Sequence, residues 1–103
     1  MTQQEQGVHF QKLVEMVRGT LINKSKDYAT DTDVLSNFKL AGSICGLSAE
    51  QNCLSLISTK VARLGVLLNS NKEPSNESVQ DSVLDLVGYS ILLSMILNDK
   101  ECQ

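Results

Sequence analysis

The chain has 103 residues, the size of one domain, so a single domain over 1–103 is the expected organisation. Its formal net charge of -3 and sequence pI near 5.0 exclude the surplus of Lys and Arg that a nucleic-acid polymer requires, leaving room only for a local basic pocket. The hydrophobic fraction is 42% but only 4% of residues are aromatic, so the core must be assembled from Leu, Val and Ile, a composition suited to interdigitated helices.

In the first segment Phe10, Leu13, Val14, Val17 and Leu21 recur at intervals of three and four, the period of one helix face, which predicts a helix over 3–24. Residues 25–33 are polar and contain aspartates ahead of a new apolar run. A loop is expected there, with Asp31 or Asp33 capping the next helix. Val34, Leu35, Phe38, Ala41 and Ile44 continue the helical period to Cys45, and Gly46 is placed as the C-terminal stop. Ser48 and Gln51 form a capping box that opens a third helix, whose apolar stripe is Leu54, Ile57, Val61, Leu64 and Leu68. The segment NSNKEPSN at 69–76 holds the only proline and is the clearest break in the chain. Ser75 or Asn76 then caps a fourth helix running to about residue 98. Its later part, 83–97, is apolar on nearly every side and must be covered, by the bundle or by another subunit. The expected fold is all-α, a four-helix bundle-like domain, and at this length oligomerisation is a common way of recovering burial.

Cys45, Cys53 and Cys102 have no metal-finger spacing and their odd number makes a poor disulfide framework; small buried hydrophobes plus one terminal thiol is the simplest reading. His9 is the only histidine, which excludes a multi-histidine metal site and fits a surface position. The opening MTQQEQGVHF has neither a basic region nor an apolar run, so no secretory signal is expected. The longest apolar stretch, 92–97, is broken by Ser94 and short for a bilayer span. No membrane partner and a cytoplasmic location are the expectations.

Chemistry concentrates in three places. Glu77, Asp81 and Asp85 stand at successive spacings of four on the fourth helix, where like charges repel by a few tenths of a kcal/mol per pair unless something offsets them. Lys60 and Arg63 lie on the third helix, which a short loop should set antiparallel to the fourth, so these cations can reach Asp81 or Asp85. Two readings stay open: a salt bridge that sets register, or a phosphate grip in which the acids orient the cations or hold magnesium. The third place is Asn23-Lys24-Ser25-Lys26-Asp27-Tyr28, which reads either as a solvated helix exit or as cations and an aromatic ring for a nucleotide. Asn37 is a surface residue or a ligand contact in the same way, beside Phe38, which is most simply core. There is no glycine-rich phosphate loop and no serine nucleophile motif, so covalent catalysis has no candidate.

Taken in order, Lys24-x-x-Asp27-Tyr28, Leu35-Ser36-Asn37-Phe38, Lys60-x-x-Arg63-Leu64 and Glu77-Ser78-x-x-Asp81 with Asp85-Leu86 and Tyr89 resemble the nucleotide modification associated domain type 1, a small helical domain common in bacteriophages. The match runs from about residue 21 to 97, and the order of the four blocks is more specific than any one of them. The resemblance implies a phage protein that binds a small-molecule nucleotide or nucleotide-derived messenger in the host cytoplasm. Combined with the residue pattern, it makes Lys24, Asp27, Tyr28, Asn37, Lys60, Arg63 and Tyr89 the candidate ligand contacts of a binding protein, with sequestration of defence signals as one use. The chain is also distantly similar to the all-α pyrophosphatases of the MazG and dimeric dUTPase kind, which ligate magnesium through an ExxE and an ExxD pair. That alternative puts Mg2+ on Glu77, Asp81 and Asp85. This chain departs from it, since Glu15 is isolated in the first helix and the later acids are spaced by four. A third alternative is a non-catalytic helical interaction module.

Overall fold

A computed structural model describes residues 1–28, 33–69 and 76–101, with the side chains of 24–28, 76–77 and 100–101 outside the description. The described residues form four helices and no strand: α1 (Gln3–Tyr28), α2 (Ser36–Ile44), α3 (Ala49–Asn69) and α4 (Asn76–Glu101). The all-helical expectation holds. Asp31, Ser75 and Cys102 lie outside the described residues.

Helix α1 opens on a reciprocal capping box. The Glu5 N–H donates to Thr2 Oγ1 at 3.1 Å, and the Thr2 nitrogen donates to Glu5 Oε2 at 2.9 Å. The helix continues a full turn past the expected end, to Tyr28. Polarity alone does not stop a helix: 25–28 contain neither glycine nor proline, and Lys and Ser are tolerated there.

Helix α2 starts two residues later than its apolar period suggested, and its N-cap is Leu35, without a side-chain cap bond, in place of the expected aspartate; Asp33 Oδ1 instead accepts from the Leu35 N–H at 3.0 Å in the turn before the helix. Its end is a Schellman motif. The Leu47 N–H reaches the Gly42 carbonyl at 2.7 Å and the Gly46 N–H reaches the Ser43 carbonyl at 3.2 Å, with Gly46 at φ 72, where an L side chain is strained. Gly42 is required for a different reason. A Cβ there would stand 2.8 Å from the Leu47 carbonyl oxygen. The Ser48/Gln51 capping box then starts α3 as expected, with bonds of 2.9 and 3.2 Å.

The core lies where α2, α3 and α4 meet, and comprises Leu35, Phe38, Cys53 and Ile96, with Leu56, Ile57 and Leu92 packed around them. Cys53 is fully buried, and its thiol donates to the Tyr89 carbonyl at 3.3 Å. Burial pushes that thiol's pKa upward, so it is protonated at neutral pH. Cys45, by contrast, is exposed. The face of α3 that packs inward is displaced by one position from the expected stripe: Leu54, Val61 and Leu68 stay exposed, whereas Cys53, Leu56 and Lys60 turn inward beside Ile57 and Leu64. Apolar residues outnumber the positions that α4 can cover, so periodicity alone does not locate the seam.

Helix α4 is the central element, flanked by α3 along its length and by α1 on another side, while α2 packs on α3. The arrangement is therefore more open than a closed four-helix bundle. Although 83–97 is apolar on nearly every side, Val83, Val87, Ile91, Met95 and Leu97 remain exposed within the chain. The segment Ser78–Asp99 is also long and apolar enough, by length and composition, to cross a membrane. That differs from the expectation drawn from uninterrupted runs, because mean hydropathy averages over the serines and aspartates that break them.

Candidate functional site

Helices α3 and α4 run antiparallel, with Cys53 opposite Tyr89 and Lys60 opposite Asp85. The expected cross-helix ion pair forms here: Lys60 Nζ lies 3.0 Å from Asp85 Oδ2, with both side chains about three-quarters covered. Of the two acids within reach, it is Asp85 that turns inward, because it shares the covered face of α4 with Leu84, Gly88 and Tyr89; Asp81, one turn earlier, is exposed. Arg63 is one turn along α3 from Lys60 and is exposed as well.

On its other side, Asp85 meets α1. Thr20 and Leu21 from α1 line a narrow crevice with Asp85, Gly88 and Tyr89 from α4, with room of about 20 Å³, enough for one water-sized group. Gly88 faces α1 here: a Cβ in its place would meet Leu21 Cδ2 at 3.7 Å, an ordinary packing distance. Lys24 begins the turn of α1 that follows Thr20 and Leu21. The first candidate block, 24–28, follows these residues along α1, while Lys60 reaches Asp85 from α3. The side chains of Lys24, Asp27, Tyr28 and Glu77 lie outside the described residues.

Asn37 is exposed in the first turn of α2, on the element that packs against the other end of α3. Its neighbour Phe38 is core. The second block therefore contributes its hydrophobic member to the fold, while its polar member stands apart from Lys60 and Asp85. Among the described residues no group of three or more His, Cys, Asp or Glu side chains is placed to hold a metal ion. Asp85 is engaged by Lys60 and Asp81 faces outward, so the magnesium alternative draws no support from the described side chains.

Two features escaped the sequence reading. Lys39 bridges Asp33 at 2.6 Å and Asp99 at 3.2 Å, tying α2 to the end of α4. The hydrogen bonds and charge of these carboxylates hold Lys39 above the usual lysine range, and the Lys39 bond, with the Leu35 N–H, holds Asp33 below the usual carboxylate range. No spacing signal marks a pair separated by 60 positions. The second is an apolar groove of about 480 Å³ between α1 and α4, which none of the expected site residues lines.

Comparisons with family models, with curated proteins and with solved structures find no match for this chain.

Proposed function

We propose that the chain binds a phosphorylated nucleotide or a nucleotide-derived signalling molecule, acting as a phage-encoded protein that sequesters it in the host cytoplasm. The observation that carries this reading is the half-buried Lys60–Asp85 contact at 3.0 Å, beside Tyr89 and within a turn or two of the Lys24 block. Two of the four blocks that resemble the phage nucleotide domain are joined by this contact, which supports a shared site. Chemically, a partly desolvated lysine held by a single carboxylate is an exchangeable cation. A phosphate bears more charge than Asp85 and can compete for the ammonium, with the exposed Arg63 supplying a bidentate grip from the next turn. Lys24 adds a further cation, while Tyr28 provides a ring to stack on a base. Tyr89 adds a further polar contact. The crevice admits only a water-sized group, so the ligand lies over the rim between α1 and α3 and does not enter the core.

Titration calorimetry against mono-, di-, tri- and cyclic nucleotides tests the reading. One class should bind at micromolar affinity or better, and Lys60→Met and Arg63→Met should each weaken it about tenfold or more, the loss of one charge-assisted contact. Absence of heat with every nucleotide would refute it.

A further inference from the structure

The groove between α1 and α4 is built by Phe10, Leu13 and Val14 on one wall and Val87, Ile91 and Met95 on the other, with Arg18 as the charged side chain at its lip. Its walls are wet: Phe10 is 61% exposed and Met95 46%. A contiguous apolar face of this kind on a small domain marks an association surface.

We infer that this face is covered by a second copy of the same chain, each copy laying its α1/α4 pair on the other's to form a four-helix layer across a two-fold axis. Two observations select this occupant. The chain exposes 7673 Å², whereas a compact monomer of 11.3 kDa exposes about 5,700 Å² by the usual mass scaling. The excess, about 1,900 Å², is more than twice the roughly 800 Å² that each partner contributes to a stable dimer. The radius of gyration, 15.7 Å against about 13 Å for a compact chain of this length, points the same way: α1 has a principal neighbour, α4, on one side only. A two-fold axis would set the α1/α4 pair against an identical pair, a packing in which ridges of one can interdigitate with grooves of the other.

A lipid bilayer fits this face less well. Helix α4 is held on another side by α3 through the Lys60–Asp85 pair and at its end by the Lys39–Asp99 pair, both of which a membrane span would have to abandon. Arg18 also keeps a charge in the lining of the groove itself. The inference is independent of the nucleotide reading, because no expected ligand residue lines the groove.

Light scattering coupled to gel filtration, and sedimentation equilibrium from about 1 to 100 µM, test it on the full chain. The wild type should have at least twice the chain mass. Val87→Glu and Phe10→Lys, both at exposed positions a monomer would tolerate, should each return it to 11.3 kDa with unchanged far-UV helicity. A wild type that stays at 11.3 kDa across the range overturns the inference whatever the variants do. So does a folded variant that retains the associated mass, or flotation of the wild type with anionic phospholipid vesicles in place of association. A variant that loses helicity is replaced by Ile91→Lys, read by the same criteria.

Discussion

Removing the charge on either partner of the Lys60–Asp85 pair separates its structural contribution from its role toward an anion. At 3.0 Å the bare Coulomb attraction is about 1.4 kcal/mol in water and about 5.5 kcal/mol at an effective dielectric of 20. The pair is three-quarters covered, which favours the larger figure, but ordering a lysine side chain costs up to about 2 kcal/mol and partial desolvation takes more. A net coupling of about 1–2 kcal/mol is the expected remainder, above the 0.2–1 kcal/mol typical of exposed pairs. Lys60→Met, Asp85→Asn and the double variant, unfolded in urea, give that coupling directly as a double-mutant cycle. Raising the salt from 0.15 to 1 M shortens the screening length from about 8 to about 3 Å, and at this separation and burial more than half of the coupling should survive. Nucleotide affinity supplies the second readout. Lys60→Met should weaken binding, whereas Asp85→Asn, which releases the ammonium from its competitor, should strengthen it. A coupling below about 0.3 kcal/mol, or one abolished by salt, would show that the pair is merely an exposed one. Equal loss of affinity in both single variants would refute the exchangeable-cation argument.

Other consequences are testable with simple substitutions. Gly42→Ala should destabilise the fold by about 1–3 kcal/mol despite alanine's better helix propensity, because its methyl would stand 2.8 Å from a backbone carbonyl; a urea midpoint at or above wild type would contradict the packing of that turn. Peptide mapping after thiol alkylation should find Cys45 modified at the rate of an exposed thiol and Cys53 modified only as fast as the protein opens, and equal rates would place Cys53 outside the core. The Lys39–Asp33 contact has its own pH signature. Asp33 titrates below its usual 3.8, so its contribution is complete above that value and disappears as pH falls through the lowered pKa; Lys39 titrates above its usual 10.5, so its share is complete below that value and disappears as pH rises through the raised one. The stability difference between wild type and Lys39→Met should therefore be flat across neutral pH and vanish at both extremes, and a difference that peaks near pH 6–7 would point to another group.

How much of this was legible beforehand depends on the range of the interaction. Local rules located the helices well: the Ser48/Gln51 box and the Gly46 stop are set within six residues of chain, and both are as expected. The Lys60–Asp85 pair was legible because a short connection makes α3 and α4 antiparallel, leaving few registers. What failed was the choice among equivalent apolar faces. Leu54 and Val61 repeat with the same period as the residues that are buried, and only the position of α4 decides that Cys53 and Leu56 turn inward. Lys39 with Asp99, and the groove between α1 and α4, arise from segments far apart in the chain, for which periodicity carries no information. The Thr2/Glu5 box is equally local, with the same spacing of three as Ser48 and Gln51.

Among the described residues, none of the side chains of the α2–α3–α4 core comes from α1, whose one buried hydrophobe there, Val17, lies apart from that cluster. Stability should be distributed accordingly. Amide hydrogens in α3 and α4 would exchange with solvent only through concerted opening, whereas those of α1 can exchange through detachment of that helix alone. On this expectation the first helix would act as an arm with its own adhesion equilibrium, set by how much of it is covered.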